Sequence, residues 1–195
     1  MTLRATGPVL GALGICATLT VCTLYVTKST AQRAEESQRQ AESNASPIYG
    51  ITIPAGYRDW RLISVAHLEG NTLKQLRALL GNDIAIKAFQ EGTLPFPDGA
   101  IIAALHWNEA ASDENTKVFA SGFPGMGLQS SVAGSAENVQ FMVKDSKKYA
   151  ATGGWGFADF KNGKPGGEAL HKNCFGCHEP LKDRDFVFTR YAPTP

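Results

Sequence analysis

Residues 168–180 read EALHKNCFGCHEP. Glu168 opens a helix, and Pro180 ends it, because proline has no amide proton to continue the ladder. Inside this helix Cys174, Cys177 and His178 form the pattern C-x-x-C-H. Two cysteines three apart lie on nearly one helical face, a spacing suited to the two vinyl groups of one porphyrin. The histidine directly after the second cysteine can then present its imidazole to the iron as an axial ligand. The pattern therefore predicts one haem c, covalently bound through two thioethers at Cys174 and Cys177, with His178 on the metal. Three plainer readings are weaker. A dithiol redox pair expects a βαβ context, which the surrounding sequence lacks. A zinc site expects two more Cys or His ligands at close spacing, and only His171 is near. A disulfide across two residues is strained and leaves the histidine idle.

Upstream of this helix the chain reads mainly as strands. Apolar and β-branched residues recur over residues 57–68, 74–80, 100–107, 139–143 and 155–160, with a last strand expected over 186–191, FVFTRY. Asp83 is placed to cap a short helix running to Gln90 and stopped at Gly92. A second short helix is expected over 146–151. Asp98-Gly99 is a turn signal, and the polar, glycine-containing stretch 108–131 reads as a long loop. The fold class is therefore α+β, a predominantly antiparallel β-sheet with short helices and the C-terminal haem-attachment helix.

The remaining two cysteines, Cys16 and Cys22, sit in an uncharged apolar run at residues 7–26 that is 20 residues long. At about 1.5 Å per residue it spans about 30 Å, the thickness of a bilayer core. Ser29-Thr30-Ala31 offers a small-residue cleavage site. Residues 1–31 are thus a signal peptide or an N-terminal membrane anchor, with the anchor favoured by length. Residues 32–46 are polar and read as a linker, and residues 47–195 as the folded haem domain. The domain is expected in the periplasm, soluble or tethered to the inner membrane. The whole chain of 195 residues is 43% hydrophobic, with 19 basic against 18 acidic side chains. This balance excludes general disorder, and it gives no cationic field for a nucleic-acid partner.

The sixth iron position decides what such a haem does. Met126 falls in the expected loop and Met142 in a strand. His67 and His106 read as ordinary strand residues, and His171 shares the helix of His178 and cannot reach the opposite haem face. The preferred inference is a five-coordinate or apolar-capped iron.

The early YRDW (57–60), EGTLPFPDG (91–99), VQFMVKDSKKYAATGGWGFADF (139–160) and CFGCHEPLKDRDFVFTRY (174–191) together resemble the cytochrome P-460 family, which includes the beta type of cytochrome c-prime. The resemblance covers residues 47–195. It implies a homodimeric periplasmic haem protein in which Cys174 and Cys177 hold the porphyrin and His178 the iron. Arg190 matches a family arginine that would neutralise a propionate or bond near the proximal side. Some members oxidise hydroxylamine or nitric oxide, and pass electrons to a partner cytochrome. Others bind nitric oxide behind a distal phenylalanine cap, a role that Phe89 and Phe96 could take. The lysine that cross-links the porphyrin in catalytic members falls on Phe89 or Gln90 here, with Lys87 displaced. No carboxylate occurs in residues 100–107, where the catalytic members carry one. The expected activity is therefore binding of nitric oxide or a related small nitrogen species. The alternatives are an oxidoreductase acting on hydroxylamine or nitric oxide, and a simple electron-transfer cytochrome c.

Overall fold

The computed structural model describes residues 2, 30, 32–40 and 42–192. The apolar run 7–26, Cys16, Cys22 and the cleavage site after Ala31 lie outside the described residues. Among the described residues no helix is long and apolar enough to cross a membrane. The chain divides into two units, Met1–Ser43 and Asn44–Pro195. In the first, residues 32–40 are helical and exposed.

The second unit is built on an antiparallel meander. Six strands, β1 (Arg61–Glu69), β2 (Lys74–Gly81), β3 (Ile101–Ala111), β4 (Ser131–Lys144), β5 (Trp155–Lys161) and β6 (Lys164–Pro165), pair in chain order. Sequential hairpins need only short connections, so this topology closes each pairing locally. Between β2 and β3 runs α1 (Asp83–Glu91). Its cap is Asn82, not Asp83: the Asn82 side chain accepts from the N–H of Ala85, and Gly92 ends the helix at φ 66. That left-handed conformation costs glycine nothing. Ala85, Ile86 and Ala88 bury the apolar side of the helix. The core around them is aromatic, with Phe141 between the rings of Tyr57 and Phe160 at centroid distances of 5.2 and 5.9 Å.

Three further expectations are corrected by the structure. Residues 108–131 are not a long loop: β3 continues to Ala111, α2 occupies Asp113–Gly122, and β4 begins at Ser131. Ser112 caps α2 by accepting from the N–H of Asn115, and Asp113 and Glu114 favour its positive end. This helix buries none of its residues, so no apolar periodicity marks it in the sequence. Residues 146–151 do not form an α-helix. The Asp145 carboxylate instead accepts from the N–H groups of Lys147 and Lys148, which holds the chain in turns up to a 3-10 segment at Ala150–Thr152. Residues 186–191 are not a strand. Asp185 and Phe186 take left-handed backbone angles, φ 50 and 65, so the chain turns there, and the N–H of Ala192 then reaches the carbonyl of Ile63 on β1.

That helix is α3, Glu168–His178, continued by a 3-10 segment over Glu179–Arg184. It lies on β5, and His171 fastens it there. His171 is 0% exposed. Its Nε2 accepts from the backbone N–H of Asp159 on β5, and its Nδ1–H donates to the carbonyl of Gly167. Both ring nitrogens are thereby used in one neutral tautomer.

Candidate functional site

Register alone places one set of side chains on a common sheet face. Leu79 faces Ala104 and Ala104 faces Gln140. One step along, Arg77 faces His106 and His106 faces Asn138. Because side chains alternate across a strand, these residues share the face over which α3 and the tail run. Between them lies a cavity of about 740 Å³, within the size range of a cofactor site.

One wall of the cavity carries Cys174, Cys177 and His178. The two thiols are free, and Cys174 also donates to the carbonyl of Leu170 one turn back. Burial pushes the Cys174 thiol up, assisted by the carboxylate of Asp159. His178 donates its Nδ1–H to the carbonyl of Phe186 at 2.7 Å, which leaves the lone pair on Nε2. Its ring packs against Phe157 and Phe188, at centroid distances of 4.8 and 5.0 Å. Burial pulls this imidazole below the usual histidine range, although the bond to Phe186 opposes the shift. A neutral, oriented imidazole with a free Nε2 is the state a metal ligand needs.

The sheet wall opposite is apolar at Leu79, Ile102, Ala104 and Phe157, and polar at Arg77, His106 and Gln140. Arg190 and Tyr191 line the rim from the tail. The tail is held in place by Ala192, whose N–H donates to Ile63, and by Tyr191, whose hydroxyl accepts from Gln90. Among the described residues, no Asp, Glu or Lys lines this cavity. The lining therefore offers two guanidinium charges and no acid, with an apolar slab, two thiols and an unprotonated imidazole nitrogen. Haem is a flat apolar ring with two carboxylates and an iron, and these residues fit it.

The structure brings Cys174, Cys177, His178 and Arg190 together, and leaves other candidates elsewhere. Phe89 and Phe96 do not line the cavity. They pack on each other at 4.9 Å, and Phe96 packs on Trp155 at 5.6 Å, so Phe96 belongs to the core and the half-buried Phe89 packs against it. Lys87 is exposed and pairs with Glu91 on its own helix. His67 pairs with Glu109 outside the cavity, and Met126 is exposed. Two residues set aside on strand position do line the cavity: Met142 and His106. Strand alternation gave the only signal for them, since both fall on the face shared by Ala104 and Gln140.

His106 is 3% exposed, and its Nε2 has no hydrogen-bond partner. Burial, with the Arg77 guanidinium beside it, pushes its pKa down to about 4, against smaller opposing effects of Asn138 and Asp159. It is therefore a neutral group at physiological pH.

No curated protein matches the chain. The family model for cytochrome P460, however, matches residues 54–189, a span that contains the whole meander, the helix of Cys174 and His178, and the start of the tail. The cavity and the sequence match agree, and the chain belongs to the cytochrome P460 family.

Proposed function

We propose that the protein is an exported c-type mono-haem protein whose iron, held by His178, binds nitric oxide or a related small nitrogen species. Family membership implies the haem; the thioethers to Cys174 and Cys177, the export and the ligand are parts of the proposal. The observation that carries it is the convergence of Cys174, Cys177 and His178 on one wall of a cavity that contains no acid among its described lining residues. Haem supplies a metal centre that takes small diatomic ligands. The protein's own contribution is threefold. The bond from His178 to Phe186 fixes the imidazole, the apolar wall excludes water, and the arginines offset carboxylate charge.

Oxidation of hydroxylamine requires a group that accepts protons beside the substrate. Among the described residues the cavity lining offers neither a carboxylate for this nor a lysine for a porphyrin cross-link, which supports ligand binding over that alternative. The proposal retains a periplasmic location, soluble or anchored through residues 7–26, and the homodimer expected from the resemblance. A second reading, electron transfer, is favoured by one observation: Met142 lines the cavity and could serve as a second strong ligand.

Absorption spectra of the purified protein separate these readings. A high-spin ferrous spectrum that changes on adding nitric oxide is expected. Sharp low-spin bands insensitive to nitric oxide would establish the electron-transfer reading instead. Attachment is checked by mass: the double variant Cys174→Ala/Cys177→Ala should lose the covalent haem mass that the denatured parent protein retains.

A further inference from the structure

Arg77 and His106 stand opposite each other on β2 and β3, and both line the cavity. The guanidinium of Arg77 is half-buried. It donates through Nε and Nη2 to the Gln75 side-chain oxygen, at 3.3 and 2.9 Å. Among the described residues it forms no ion pair, and arginine cannot escape burial by losing its proton at any ordinary pH. A partly desolvated cation whose partner is a neutral amide is an incomplete arrangement.

The neighbouring imidazole is incomplete as well. His106 is almost fully buried, and its Nε2 lacks a partner. A polar atom buried in this way destabilises the fold unless a group from outside the chain satisfies it. The nearest acid does not fill the gap. One oxygen of Asp159 accepts from the amides of Asn138 and Gln140, and Asp159 does not line the cavity. The β3–β4 register also shifts between His106 and Trp107, and bulges of this kind re-aim side chains beside functional sites.

We infer that Arg77 and His106 form an oxyanion-binding corner of the cavity, in which the guanidinium supplies charge and the imidazole Nε2–H donates one hydrogen bond. Gln75, two residues before Arg77 on the same strand, holds the guanidinium in place. The matching chemistry is a planar, carboxylate-like pair of oxygens, which a guanidinium recognises in two-point fashion. Two sources have that chemistry. One is a carboxylate of the porphyrin itself, and this source rests on the haem reading proposed above. The other is a small oxyanion such as nitrite that enters the cavity from solution.

The test uses the full-length holoprotein and the variants Arg77→Met, Arg77→Lys and His106→Leu, each first assayed for haem by its pyridine haemochrome. If the corner holds a porphyrin carboxylate, Arg77→Met shifts the propionate bending bands in resonance Raman spectra and lowers the reduction potential. Arg77→Lys then restores part of both changes, and nitrite affinity stays within twofold. If it holds a free oxyanion, the propionate bands stay in place and the nitrite Kd rises tenfold or more in Arg77→Met and in His106→Leu. The inference is overturned if propionate bands, potential and nitrite Kd are all the same in the parent protein, Arg77→Met and His106→Leu. A parent protein without haem would sink the haem reading alone, because nitrite calorimetry on that same protein still tests the corner.

Discussion

Lys144 on β4 and Asp185, just beyond the helix of Cys174 and His178, form a buried ion pair with the ammonium 2.8 and 2.9 Å from the two carboxylate oxygens. The pair is fully furnished. Asp185 also accepts from the N–H of Phe96, and Lys144 also donates to the carbonyl of Gly153 and lies over the Trp155 ring. Asp185 precedes Phe186, whose carbonyl holds His178. One ion pair in the core thus fixes the backbone group that orients the His178 imidazole.

Removing the charge from Asp185 should therefore loosen both the fold and the site. Asp185→Asn leaves a lysine buried without its counter-charge, at a cost of about 3–5 kcal/mol. Urea unfolding should show that loss as a lower midpoint. The same variant should show a broadened or shifted iron–histidine stretching band, because the Phe186 carbonyl is no longer held.

The imidazole of His178 should be replaceable from solution. On the proposed assignment, His178→Gly keeps both thioether cysteines and removes the iron ligand, so covalent haem should be retained. Added imidazole should then restore the parent absorption spectrum. Failure of millimolar imidazole to change the spectrum of the variant would contradict the assignment of His178 to the metal.

His171 is expected to act through structure alone. His171→Leu strands the buried N–H of Asp159, while the exposed carbonyl of Gly167 still accepts from the backbone N–H of residue 171, so the loss should be about 1–3 kcal/mol. Denaturant titration measures this directly. Haem content should fall with it, since α3 loses its fastening to β5, but the spectrum of the haem that remains should match the parent.

Gly153 should tolerate no side chain. Its φ is 68, and an added Cβ would overlap the ring of Phe186. Gly153→Ala combines backbone strain with overpacking, for a loss of about 3 kcal/mol. Thermal unfolding should show a clearly lowered midpoint, whereas the same substitution at Gly92, where nothing lies within 4 Å of an added Cβ, should carry only the smaller cost of its left-handed backbone.

The legible parts of this chain are those where one local rule decides. The strands containing residues 100–107 and 155–160 announce themselves by apolar runs, and α1 by a capped amphipathic stretch. The invisible parts are those where no such rule operates. Helix α2 buries nothing, so its residues carry no stripe. The first half of β4 is exposed and pairs with β3 through backbone bonds that any small residues can make. The tail after Asp185 looks like a strand because Phe186, Val187 and Phe188 are apolar, yet its conformation is set by Lys144, a residue far away in the chain.

By itself the sequence determined that Cys174, Cys177 and His178 stand together, because a single helical turn converts their spacing into geometry. It also determined the antiparallel, mainly β class, because alternation is a property of neighbours in the chain. Only the tertiary structure decided what surrounds the motif. Which of His67, His106 and His171 faces the cavity depends on register between strands and on where α3 lies, and neither is a local property. The same holds for Phe96, which packs into the core, for Phe89, which packs against it, and for Arg77, which meets His106 only because β2 and β3 pair in one register among many.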